Sequence, residues 1–238
     1  MKRDVDVSAE VPRNGFHWRG FDAYLFDIDG TIMRSKDRTH RYAIHRAMRD
    51  VYGIETTIDG IAYHGKTDPG IIRAALERAG VPAAEIDPRM PAALDVCRLH
   101  ADENIHLFTP TVLPGIPEIL ELLHRDGKLL GVASGNLESI GWIKVSAAGL
   151  RQYFQFGCFA DHHELREQVF QNAVDEVHRR LGPEASICFL GDTPDDIYAA
   201  HKAKAKIISI GTGIYSADDL AALSPDTCVA DCSQLMAQ

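Results

Sequence analysis

The chain has 238 residues, 45% of them apolar and 25% charged, with a formal net charge of -9 at pH 7. That length fits one large core, or a core with a smaller companion domain. The acidic balance argues against a general nucleic-acid binder, because phosphate backbones attract basic surfaces. It does not exclude a small phosphate ester, since a metal ion and one or two basic side chains can reverse the local field inside an acidic protein.

Residues 1–19 carry Lys2 and Arg3 but no apolar run, so a secretory leader is not expected there. No stretch reaches the roughly 18 consecutive apolar residues of a membrane helix. The five cysteines, Cys97, Cys158, Cys188, Cys228 and Cys232, are odd in number and scattered, partly in apolar runs. That usage fits reduced, mostly buried thiols in a cytoplasmic protein. Cys228 and Cys232 have no second pair at ligand spacing, which argues against a zinc site.

In chain order, a first strand is expected at 23–28, Ala-Tyr-Leu-Phe-Asp-Ile, ended by Gly30. Residues 34–108 then show no strand pattern. They carry only helical patterns, at 39–51, 69–79 and 90–105, separated by Gly53, Gly60, Gly65, Gly80, Pro82 and Pro88. So long a stretch cannot be a structureless loop in a compact fold. It reads as a small helical domain, 34–110, inserted into a core made of 1–33 and 111–238. Further strands are expected at 128–133, 156–160, 187–190 and 207–210, with a weak one at 228–230. Helices are expected between them at 116–125, 137–148, 164–181 and 195–203. Gly127, Gly149 and Gly182 fall where helix C-terminal caps belong. Alternating strands and helices predict an α/β fold, a parallel sheet with helices on both faces.

Three motifs follow apolar strands. Asp27-Ile28-Asp29-Gly30-Thr31 closes the first. In an open α/β sheet the ligand crevice lies beyond the carboxyl ends of the strands, so both aspartates fall at the expected site. Two carboxylates this close repel unless a cation lies between them or one holds a proton. Gly191-Asp192-Thr193-Pro194-Asp195-Asp196 closes the strand at 187–190 in the same way. Its acidic groups, converging with Asp27, would form the hard oxygen site that magnesium prefers. The same residues also suit a helix start, with Asp192 or Thr193 as N-cap and Pro194 at the first helical position. Ser134-Gly135-Asn136 follows the strand at 128–133, where a hydroxyl and free backbone N–H groups at a helix start make an anion site.

Together these motifs resemble those of the haloacid dehalogenase superfamily of phosphatases, in its members with a helical cap inserted after the first motif. The resemblance implies a Rossmann-like core, a cap domain at 34–110, Mg2+ and covalent catalysis on an aspartyl-phosphate. It makes Asp27 the nucleophile and a metal ligand, and Asp29 the general acid and base with its carbonyl as a further ligand. It makes Asp192 a metal ligand with Asp196 in support. Ser134 and the neighbouring N–H groups of Gly135 and Asn136 would hold the phosphoryl oxygens, and Thr31 would stand with them. The family also has a cation beside the phosphoryl group. Here Arg166, at the start of the helix at 164–181, is the favoured residue, and Lys144 on the preceding helix is the alternative. Related caps present a polar loop over the leaving group, which matches His64-Gly65-Lys66-Thr67-Asp68; Thr67 or Asp68 would equally serve as a helix cap. The implied activity is hydrolysis of a small phosphorylated metabolite, in the manner of phosphoglycolate phosphatases. A sugar-phosphate mutase using the same intermediate, and a non-enzymatic regulator that binds a phosphometabolite, are the alternatives. No nucleic-acid or membrane partner is expected, and the oligomeric state is open.

Overall fold

The computed structural model of the protein describes residues 16–237; of the polar stretch at 1–19, residues 1–15 lie outside the described residues. Strand β1 (Ala23–Phe26) leads to β2 (Met33–Ser35), then to helices α1 (Thr39–Tyr52), α2 (Asp68–Arg78), α3 (Ala83–Ile86) and α4 (Met90–Glu103). Strand β3 (Pro110–Val112) follows, then α5 (Ile116–Arg125), β4 (Leu129–Ala133), α6 (Glu138–Ala147), β5 (Phe156–Cys158) and α7 (Arg166–Leu181). The chain finishes through β6 (Ile187–Gly191), α8 (Pro194–Lys202), β7 (Lys206–Ile210), α9 (Ala217–Ala221) and β8 (Thr227–Val229).

Six parallel strands form one sheet in the order β5-β4-β1-β6-β7-β8. Strand β1 therefore lies inside it, with Ala23 opposite Leu129 of β4 and Ile187 of β6. All four of its residues are buried, and it reads Ala-Tyr-Leu-Phe without polar alternation, as a strand covered on both faces does. Tyr24 and Phe26 pack with Ile116, Ile119, Leu120 and Leu123 of α5 on one face. Ala23 and Leu25 pack with Val169, Phe170 and Ala173 of α7 and Ile197 of α8 on the other. The spacing of the α5 residues puts them on one side of a helix. Leu120 is fully buried, so its truncation to Ala would cost about 2–5 kcal/mol.

The inserted helices build a core of their own from Ala43, Ile44, Ala47 and Met48 of α1, Ile72 and Leu76 of α2, and Ala93, Leu94 and Cys97 of α4. Leu137, Ile140 and Ile143 belong to the same cluster, although the last two lie on α6 of the sheet domain. Val145, also on α6, packs instead with the sheet. Helix α6 is thus the floor of the cap. One difference from the sequence reading lies at the hinge. No strand pattern is expected over 34–108, yet β2 and β3 pair antiparallel, Met33 opposite Val112, where the chain leaves and re-enters the core. Three-residue strands carry too little periodicity to be recognised, and their partners are distant in sequence.

Candidate active site

The strand expected to reach Ile28 stops pairing at Phe26. The Ile28 carbonyl accepts the N–H of Ile32 at 2.9 Å, and Gly30 adopts φ 90°. A Cβ at Gly30 would overlap the Asp192 carboxylate, so this tight turn needs glycine both for its φ and for its space. Asp27 is thereby left at the end of a central strand with its N–H tied to Leu190 O at 3.0 Å.

Asp27, Asp192 and Asp196 form a buried cluster whose carboxylate oxygens lie within 4.8 Å of one another. Burial, then repulsion from Asp196 and Asp29, pushes the Asp27 carboxyl up to about 6 despite the opposing charge of Arg166. Burial, then the charges of Asp27 and Asp196, raises Asp192 well above the ordinary carboxylate range. Asp27 Oδ1 is buried without an aligned hydrogen bond, although Arg166 Nη2 lies 2.8 Å away. Three buried carboxylates against one guanidinium leave a surplus of negative charge that fits a divalent cation. The three aspartates do not contribute alike. Asp196 is consumed by the fold: one oxygen meets Arg166 at 2.5 Å, the other accepts from the Thr193 hydroxyl at 2.7 Å and the Thr193 N–H at 3.0 Å. Asp192 accepts the Thr31 hydroxyl on Oδ1 at 3.0 Å. Thr31 is grouped by sequence with the substrate-binding residues. In the structure it is fully buried and serves Asp192 instead.

The two basic residues that compete in the sequence both reach the site, on different carboxylates. Arg166 begins α7, is buried, and bridges Asp27 and Asp196. Burial opposes its charge, but the two carboxylates raise the guanidinium's pKa and keep it protonated. Lys144 is buried as well and meets Asp29 Oδ2 at 2.6 Å. Asp29 faces the space beneath the cap. Enclosure there would raise its pKa, but the Lys144 ammonium and hydrogen bonds from Lys144 and Asn136 outweigh this and lower it. Asp29 is therefore a carboxylate in the substrate-free protein.

Ser134 and Asn136 follow β4 and are buried at the cavity floor. The Asn136 amide, expected to contact substrate, is engaged throughout. Its nitrogen donates to Asp29 Oδ2 at 2.9 Å and Ser134 Oγ at 2.8 Å, while its oxygen accepts from Lys144 at 2.7 Å. A Cβ at Gly135 would overlap the Lys66 carbonyl, so the cap loop sits directly on this turn. Asp68 N–H donates to Gly135 O at 2.7 Å. Thr67 is the N-cap of α2, its hydroxyl accepting from Gly70 N–H at 3.1 Å. Lys66 lines the cavity and pairs with Asp195 at 2.7 Å. His64 stacks on Tyr63 at the cavity wall, where burial lowers its pKa toward the neutral form. Arg73 of α2 grips Glu164 through two bonds of 2.6 Å, and Arg98 of α4 meets Asp161 at 2.8 Å. The cap is closed onto the core by these contacts.

The cavity between cap and core has a volume of about 640 Å³ and is lined by Asp27, Asp29, Arg34, Lys36, Arg38 and Arg41. These four basic residues, and His40, carry no motif. They follow the first strand in an unremarkable polar stretch, and the fold brings them into the lining of the same cavity.

A doubly wound parallel sheet, an inserted helical cap and an acidic cluster at the end of a central strand define a capped Rossmann-like protein with a candidate cation site at the sheet's edge. The profile of the haloacid dehalogenase-like hydrolase family matches residues 24–210, and the chain belongs to that family. It is 25% identical over 230 residues to a Dickeya dadantii protein named "Probable phosphatase IndB", covering 89% of this chain and 90% of that protein. It is 25% identical over 213 residues to the phosphoglycolate phosphatase of Agrobacterium fabrum, covering 89% of each chain. Among solved structures, a Haemophilus somnus protein described as a predicted phosphoglycolate phosphatase superposes with a TM-score of 0.66 at 20% identity. That match covers 91% of this chain and 97% of the other, and shows a shared fold.

Proposed function

We propose that the protein is a Mg2+-dependent phosphatase that hydrolyses a small phosphate monoester through an aspartyl-phosphate on Asp27. The observation that carries this reading is Asp27 itself: a buried carboxylate clustered with Asp192 and Asp196 and paired with Arg166, at the floor of the cavity. Mg2+ held by Asp27, Asp192 and the carbonyl of Asp29, with Asp196 in support, would neutralise phosphoryl charge that otherwise repels the nucleophile. Arg166 supplies a fixed positive charge beside Asp27. Ser134 and the N–H groups after it hold phosphoryl oxygens.

In the first step an Asp27 oxygen bonds to phosphorus while the ester oxygen leaves, taking a proton from Asp29. An arriving phosphate brings negative charge into the cavity and raises the proton affinity of Asp29, which is low in the empty site. In the second step Asp29 takes a proton from water, the water oxygen bonds to phosphorus, and the bond to Asp27 breaks. Cys97, Cys158, Cys188 and Cys232 are buried free thiols, which supports a reducing, cytoplasmic setting.

The test is a panel of small phosphate monoesters incubated with purified protein and Mg2+, reading inorganic phosphate and ester isomers separately. Phosphate release that Asp27→Asn abolishes is the expected result. Isomerisation without net release would assign a mutase instead, and binding without either would assign a regulator.

A further inference from the structure

Lys144 has a setting that phosphoryl transfer alone does not require. It lies on α6 at a point with no solvent face, since Ile140 and Ile143 pack into the cap and Val145 into the sheet. A buried ammonium is tolerated only where it is paired. Its Nζ is 2.6 Å from Asp29 Oδ2, 2.7 Å from Asn136 Oδ1 and 3.0 Å from His40 Nδ1. An ammonium has three donors and no acceptor, so these partners use all of its capacity. Two assignments follow. The Asn136 amide must turn its oxygen to Lys144, which leaves its nitrogen for Asp29. The His40 Nδ1 must be the bare nitrogen, which leaves Nε2–H to donate to Asp68 Oδ2 at 3.0 Å. Asp68 Oδ2 also accepts the Leu137 N–H at 2.8 Å, at the start of the helix that carries Lys144. The chain of bonds closes on itself: α6, Asp68, His40, Lys144 and α6 again. Two of its members belong to the cap.

We propose that Lys144, oriented by His40 and Asp68 of the cap and by Asn136, is a positioning residue for Asp29. Lys144 and Asn136 both donate to Oδ2 of Asp29. That pins one oxygen and presents the other, Oδ1, to the leaving oxygen of the substrate. Arg166 and Lys144 then divide the work, one cation for each aspartate of the first motif. The cap contributes to it directly, because the third partner of Lys144 is a cap side chain and is in place only with the cap seated. This proposal rests on Asp29 being the proton donor and acceptor.

The experiment compares an alkyl phosphate, whose leaving oxygen needs a proton, with p-nitrophenyl phosphate, whose leaving group does not. Lys144→Met should lower kcat/KM, which reads transfer of the phosphoryl group to Asp27 and not the hydrolysis step that both esters share, about a hundredfold or more on the alkyl ester and less than about tenfold on the aryl ester. In an Asp29→Asn background, adding Lys144→Met should cost nothing further, because the lysine acts through the carboxylate. His40→Gln retains a group near Nε2 but loses the acceptor for Lys144, and should shift the ester ratio in the same direction. His40→Asn places an amide oxygen near the Nδ1 position and should keep the ratio of the native protein. This pair carries the test if Lys144→Met does not fold, as checked by circular dichroism. Equal losses on both esters in Lys144→Met, a further loss in the double variant, or equal ratios in the two His40 variants would overturn the proposal. Asp29→Asn alone separates the two levels of inference. If it fails to discriminate between the esters, the acid–base reading falls; if it discriminates and Lys144→Met does not, only the positioning role falls.

Discussion

Removing the charge of the proposed nucleophile should stabilise the metal-free protein. Asp27 shares a closed site with Asp192 and Asp196 against one guanidinium, and burial, then repulsion from Asp196 and Asp29, raises its pKa from 3.8 to about 6. That difference corresponds to about 3 kcal/mol against the charged form. Because the folded pKa is the higher one, the folded protein binds the extra proton between the two values. The associated stability is present below pH 3.8 and is lost as pH rises through about 6. Asp27→Asn is neutral at every pH and close in shape to the protonated acid. In EDTA at pH 8 it should therefore exceed the native protein by about 3 kcal/mol, or about 6–12 °C in Tm for a chain of this size. Near pH 4 the two should melt together. Adding Mg2+ at pH 8 should close the gap from the other side, since a bound cation offsets the repulsion that the substitution removes. Thermal melts at the two pH values, with and without metal, make the measurement. An Asp27→Asn protein that is no more stable than the native one at pH 8, or a gap that ignores pH, would refute the electrostatic argument.

Three other outcomes are expected. Asp192→Ala should weaken Mg2+ affinity without unfolding the protein, and native Mg2+ affinity should decline as pH falls below about 6, because protons on the raised Asp27 and Asp192 compete with the metal; titration calorimetry reads both. Arg166→Ala should lower kcat about a hundredfold or more on alkyl and aryl esters alike, and a loss confined to alkyl esters would move Arg166 into the role assigned to Lys144. Changes at His64 or Lys66 should reorder a substrate panel more than they slow p-nitrophenyl phosphate; a uniform slowing of every substrate would mean that the loop only seats the cap, through Lys66 and Asp195.

Much of the architecture was legible in the chain because its signals are local. The i, i+3, i+4 spacing in 116–125 and the apolar runs at 129–133 and 187–190 depend only on neighbouring residues, and α5 falls on the predicted bounds. So does the placement of Asp27, Asp192 and Ser134, because each follows a strand and parallel strands carry their C-terminal ends to one edge. The ribbon of β2 and β3 was not legible, being too short to show a period. Neither was the burial of Lys144. A helical pattern shows a lysine among apolar residues, but not whether a second layer of helices covers it.

The sequence by itself determined the class of fold, the inserted helices and the convergence of acidic groups at one sheet edge. It left Arg166 and Lys144 as rivals for a single role, and it grouped Thr31 and Asn136 with the substrate. Only the tertiary structure separated them: Arg166 onto Asp27, Lys144 onto Asp29, Thr31 onto Asp192, and Asn136 between Asp29 and Lys144. The physical reason is the reach of the interactions involved. Strand and helix periods are set within a few residues, whereas Lys144 meets Asp29 across 115 positions and His40 across 104. Which carboxylate a cation serves is decided by how the cap seats on α6, and no spacing in the chain records that contact.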